Sequence, residues 1–198
     1  MTEEFANLVE ALNKQFSAEE AQSLARLLSC SCRADSIIYE DIELDDEIKD
    51  DIIMIASEER VLLPMKSIRG SAWEDRVLTF TEGERYHVPR IVRFLVEDAQ
   101  GCGKWNVDEM LEKALVEAGE SNPEKMVDYL DHVRLLAPKY DVEVGVMQTI
   151  SGELGLEIDI HDAIDRFVRC GIMSQCTQKS IHSGFSKYEV NPCLYWKS

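Results

Sequence analysis

The stretch Asp159-Ile160-His161-Asp162-Ala163-Ile164-Asp165-Arg166-Phe167-Val168-Arg169-Cys170-Gly171-Ile172-Met173-Ser174 decides the fold. Asp159 stands where a helix needs a side-chain acceptor, the apolar residues recur at helical spacing through Cys170, and Gly171 supplies a left-handed stop. Ile172-Met173-Ser174 then starts a strand. The turn-forming run 175–184 predicts a polar tip, Phe185 to Val190 alternates as a returning strand, and Asn191-Pro192 breaks it before Tyr195-Trp196.

Upstream, the same order is written in different residues. A first helix is expected from Thr2 to Gln15, with Phe5, Leu8, Val9 and Leu12 on one face. Ser17-Ala18-Glu19-Glu20 is a capping box, opening a second helix whose buried stripe is Ala21, Leu24, Ala25 and Leu28. A third keeps its period through Ile48, Ile52, Ile55 and Ala56 to Glu59. Arg60 to Lys66 reads as a strand, placed at an edge by Pro64, and Trp73 to Phe80 as its return, closed by the Thr81–Glu84 turn.

Between the two arrays, helices follow Pro89, Asn106 and Asn122-Pro123, each asparagine being read as a cap. The last of them takes Met126, Val127, Leu130, Val133 and Leu135 as its apolar stripe. A further helix is expected over Val142 to Leu154. No Gly/Ser-rich linker separates the parts, so 1–86 is expected as an N-terminal lobe, 87–121 as connecting helices and 122–198 as a C-terminal domain, packed together.

The pieces from Glu153 to Pro192, scaffold-helix end, turn, helix, Gly171-Ile172 exit and the strand ending Tyr188-Glu189-Val190-Asn191-Pro192, resemble the winged-helix superfamily. The N-terminal array resembles it more weakly, because its third helix is unusually acidic and its second is poorly defined. The resemblance implies an α+β, mostly helical fold, with two winged-helix-like lobes, each of three helices plus a small antiparallel β-hairpin, joined by packed central helices. It leaves function open, because winged helices serve both as DNA readers and as protein-binding modules.

Charge bears on that choice. The 198 residues carry a formal net charge of -17, which opposes approach to phosphate backbones. The acidity concentrates in 34–60, where eleven Asp and Glu face only Lys49 and Arg60, whereas 61–90 and 171–198 are slightly positive. Glu43, Asp45, Asp46, Glu47, Asp50 and Asp51 therefore form an expected partner-binding face for a basic protein. His161, Arg166, Arg169, Lys179, His182 and Lys187 are the candidate nucleic-acid contacts on the C-terminal helix and wing.

Other chemistry finds little support. Cys170, Cys176, His182 and Cys193 could in principle supply three thiolates and an imidazole to zinc, but their spacing matches no short-range knuckle, and buried thiols are the simpler reading. Residues 41–46 lack the glycine and the bidentate glutamate of a calcium loop. Gly101-Cys102-Gly103-Lys104 lacks the rest of a phosphate loop, and no nucleophile–base pattern is legible, so neither catalytic residue nor cofactor nor metal is expected. The N-terminus lacks a signal-peptide pattern and no apolar run reaches spanning length, so a cytoplasmic location, reduced thiols and no membrane partner are expected. A homo-oligomer stays open. The expected function is non-enzymatic, through protein contacts in a regulatory or transcription-associated role; the alternative is a sequence-specific DNA-binding regulator using the C-terminal helix and wing.

Overall fold

The structure, a computed structural model, describes residues 2–197. Thr2 caps α1 (Glu3–Leu12), and Ser17 and Glu20 satisfy each other's backbone donors at the start of α2 (Ala18–Ser31), as the capping-box pattern predicts. Then come β1 (Ile37–Ile38), a 3-10 turn (Tyr39–Asp41), α3 (Asp46–Glu58) and β2 (Leu63–Pro64). A second 3-10 turn (Trp73–Asp75) precedes β3 (Arg85–His87), α4 (Arg90–Cys102) and α5 (Val107–Glu117).

The second half repeats the plan with α6 (Pro123–Leu136), a 3-10 turn (Pro138–Tyr140), β4 (Asp141–Glu143), α7 (Val144–Glu153) and α8 (Ile160–Cys170). It ends with β5 (Met173–Gln175), α9 (Thr177–Ser183), β6 (Lys187–Val190) and a 3-10 turn (Pro192–Tyr195). The fold is α+β and mostly helical, as expected.

Each half holds a three-stranded antiparallel sheet with its last strand in the middle, in the orders β1-β3-β2 and β4-β6-β5. Tyr86 in β3 faces Ile37 on one side and Pro64 on the other; Tyr188 in β6 faces Val142 and Gln175. Pro64 does lie on an edge strand, where its missing N–H leaves no gap in the ladder. The third strand in each sheet is an addition to the expected hairpins. Val142-Glu143 was expected at the head of a helix, but together with Asp141 it forms β4, whose alternation puts Val142 in the core and the two acids outward.

Two further expectations are corrected. The return strand of the first half is Arg85–His87 and not Trp73–Phe80. The earlier segment instead forms the 3-10 turn and then a single antiparallel bridge, Arg76 with Ser67, while the Arg76 guanidinium donates to the carbonyls of Pro64, Met65 and Ser71. The 175–184 tip is the short helix α9 and not an open turn. Ser180 explains it, its hydroxyl donating to the Cys176 carbonyl at 2.5 Å and accepting from the Lys187 amide at 2.9 Å, while Gly184 closes the helix at φ +74°.

At the helix ends, neither Asn106 nor Asn122 gives a side-chain cap; Asn106 instead donates to Asp98 at 2.7 Å. Leu135, expected on the buried stripe of α6, is 82% exposed, because the helix turns it away from the core one residue before its end.

The core runs without a break from α1 to the C-terminal turn. Ile91, Val92, Leu95, Val96 and Ala99 of α4 are fully buried at its centre. Trp105 packs at a tilt against Trp196 with ring centres 4.8 Å apart, and Phe16 meets Trp196 edge-on at 5.1 Å. The aromatic C-terminus is thus packed into the N-terminal half. All six cysteines are free thiols.

Candidate interaction surfaces

Beside the shared core, a polar seam ties the two halves to each other. Arg60, at φ +56° just beyond α3, sends its guanidinium to the Glu189 carboxylate of β6 at 2.9 and 3.3 Å. Asn191, fully buried, donates from Nδ2 to the carbonyls of Arg60 and Gly171 and accepts at Oδ1 from the Cys193 amide. Gly171 itself sits at φ +72° against Pro89, where a Cβ would come within 2.6 Å of the proline Cβ.

Beside this seam the loop before β3 reaches across. The Trp73 amide donates to the Ser174 hydroxyl at 2.9 Å, and the Glu74 carboxylate accepts from the Gln178 amide at 2.7 Å, where α9 begins. Sequence reasoning expects Trp73 as a core or lobe-packing anchor but passes over Arg60, Asn191 and Glu74 as joining residues. Asn191-Pro192 carried only the local signal of a strand breaker, and nothing local marks a partner about 130 residues away.

The C-terminal candidates fall into two groups. Arg166 bonds Glu120 at 2.7 Å, Lys179 bonds Asp141 at 2.6 and 2.9 Å, and Lys187 lies 3.1 Å from Glu143. The Asp141 carboxylate holds the Lys179 ammonium above its ordinary range, so the lysine is firmly charged and already matched. His161, Arg169 and His182 are exposed, and Arg169 turns back to the Asp165 carbonyl.

Beneath them α8 buries Ile160, Ala163, Ile164, Phe167 and Cys170, capped as expected by Asp159, whose carboxylate accepts from the amides of His161 and Asp162. Its outward residues Asp165, Val168 and Arg169 line a cleft of about 540 Å³ whose opposite wall holds Trp73, Arg76 and His87. The helix is therefore one wall of a cleft and not a free-standing ridge.

The acidic side is arranged differently. Glu43, Asp45, Asp46, Glu47, Asp50 and Asp51 are all exposed, and among the described residues none pairs with a base within 4 Å. Lys49, the one base on α3, is buried, with its ammonium 4.3 Å from the centre of the Tyr39 ring; the Tyr39 hydroxyl donates to Asp50 at 2.7 Å. The packing withdraws α3's own cation from the surface and leaves its carboxylates facing solvent.

The cysteines do not form a centre. Cys170 Sγ lies 3.6 Å from the Ala114 carbonyl, and Cys193 is fully buried. Burial, with Asp141 and Glu189 nearby, pushes the Cys176 thiol up to about 12. Among the described residues no group of three His, Cys, Asp or Glu side chains is arranged to hold a metal ion, and no helix is long and apolar enough to cross a membrane.

A protein-family model matches residues 6–197. No curated protein and no solved structure matches the chain.

Proposed function

We propose, from the premise that the chain belongs to one protein family over residues 6–197, that it is a non-enzymatic tandem winged-helix protein whose acidic face on α3 docks a basic protein partner. The winged-helix part of this reading rests on topology. In each half a helix, a strand, a further helical segment and a recognition-position helix lead into two strands, with the last strand central in the sheet.

The observation that carries the function is the distribution of free charge. The carboxylates of α3 face water without cationic partners within 4 Å, while Arg166, Lys179 and Lys187 are already paired with acids of the same chain. Partner charges of opposite sign then gain most on the acidic side, where no internal pair has to break first. A regulatory or transcription-associated setting is the role that such a module fits.

The DNA-binding alternative is less well supplied. A reading helix must enter a major groove about 12 Å wide with bases along its edges. Here α8 lines a cleft, and its exposed charges mix Asp162 and Asp165 with Arg169.

Fluorescence anisotropy separates the two. An oligolysine peptide at low salt should bind, and the combined reversal of Asp45, Asp46, Asp50 and Asp51 to Lys should abolish that binding; mixed-sequence duplex DNA should not bind in the nanomolar range. Nanomolar duplex binding, lost in Lys179→Ala with Lys187→Ala, would replace this reading with the DNA-binding one.

A further inference from the structure

Between α2 and α3 runs a groove of about 410 Å³. Ile48, Ile52 and Ile55 of α3 line it, and they follow one another at helical spacing along one face. Ile52 is buried and Ile55 half-buried, but Ile48 is 39% exposed, so the floor presents aliphatic surface to solvent. Asp45 and Asp51 stand on the same wall as these isoleucines, and Glu19 stands on the opposite wall; all three are exposed.

Asp45 occupies the N-cap position of α3 yet makes no side-chain capping hydrogen bond, which leaves its carboxylate available to a ligand. Glu20 also lines the groove but is held in the capping box of α2. Among the described residues lining it, Arg26 is the one base.

We propose that this groove is the docking site for a basic amphipathic helix of a partner protein. The proposal rests on the acidic-face reading above and narrows it. An aliphatic ridge on the incoming helix, repeating every three or four residues, would lie on Ile48 and Ile55, and Lys or Arg on either side of that ridge would meet Glu19, Asp45 and Asp51.

The dimensions suit this occupant. The wall from Asp45 to Ile55 spans three turns, about 15 Å of axis, which matches an anchor pattern of three apolar residues. Charge disfavours the competing occupant, a second copy of the chain, because each copy carries -17 and would bring like charge to the same rim. Charge likewise disfavours nucleic acid and anionic lipid.

The test uses the full chain and two labelled helical peptides of equal charge, about sixteen residues each. One has Leu at every third or fourth position and Lys or Arg elsewhere; the other has Ser in place of Leu. The expected result is that the Leu peptide binds at least about tenfold more tightly than the Ser peptide.

Ile48→Gln and Ile48→Ala should each remove most of that difference. Both exchanges fall on a partly exposed position, and a thermal melt checks that each variant remains folded. Asp45→Lys with Asp51→Lys should weaken the Leu peptide at least about tenfold, and more than Glu47→Lys with Asp50→Lys does.

Equal affinity for both peptides overturns the groove while leaving the acidic face as a docking surface. So does a larger loss in the Glu47/Asp50 pair. Binding of neither peptide overturns both readings. A chain that sediments as a dimer, and returns to monomer on Ile48→Gln, assigns the groove to a second copy and overturns the peptide proposal.

Discussion

Asn191 shows how much a single buried amide can hold in this molecule. Its two donors and its acceptor oxygen are used on three backbone groups drawn from both halves. Asn191→Ala would leave the carbonyls of Arg60 and Gly171 and the Cys193 amide without that partner, around a side chain that is itself fully buried. We expect a loss of about 3 kcal/mol in urea unfolding. Gly171→Ala meets two obstacles together, the left-handed backbone and the contact with Pro89, and should be destabilising by at least about 2 kcal/mol in the same assay. His87 adds a pH dependence. Burial first, and then the Arg76 and Arg93 charges, hold its imidazole below the ordinary range. A folded-state value below the unfolded one means that the unfolded chain binds the proton more readily, so the stabilising contribution is complete above the unfolded value of about 6.5 and is lost as pH falls toward the folded one. Urea midpoints should therefore drop as pH falls below about 7, and His87→Gln should flatten that drop.

At the scale of elements, the helices were the legible part. The capping box at Ser17 and Glu20, the Asp159 cap and the Gly171 stop all carry their signals within a few residues, and each element starts or ends where those signals fall. Ser17→Ala should remove about 1 kcal/mol, visible as a lower urea midpoint with an unchanged slope. The strands were less legible. β1, β2 and β4 are two or three residues long, too short for alternation to stand out, and β3 takes its place from its neighbours Ile37 and Pro64 rather than from its own residues. Helix α9 was hidden because two of the bonds that organise it, from the Lys187 amide to the Ser180 hydroxyl and from the Gln178 amide to the Glu74 carboxylate, tie the turn-forming run to residues outside it. The candidate surfaces divide the same way. The acidic face was visible in composition, whereas the internal pairing of Lys179 and Lys187 depends on β4, a strand the sequence did not disclose. These two pairs are partly exposed, so replacing both lysines with Ala should change stability by less than about 1 kcal/mol apiece while leaving the acidic-face interactions intact.

At the scale of the whole molecule, a net charge of -17 sets the response to salt. Like charges crowd 34–60 and few local cations answer them, so screening should relieve more repulsion than it removes attraction. Raising sodium chloride from about 20 mM to about 500 mM should lift the melting temperature by about 3 °C or more. A fall would show that pairs such as Arg60 with Glu189 outweigh the surface repulsion. The seam also predicts how the two halves unfold. With Arg60, Asn191, Trp73 and Glu74 joining them and one core running through α4, fluorescence and circular dichroism should report a single coincident transition.

The aromatic cluster at Trp196 bears on how the molecule is made as well as on how it stands. Phe16 and Trp105 reach their final packing only against a side chain synthesised long after them. Until Trp196 emerges from the ribosome, α1, α2 and α5 can form, but the apolar surface between them stays open at that point. The N-terminal half thus completes its packing only after the residues up to Trp196 are made, and until then it exposes the apolar surface that Trp196 later covers.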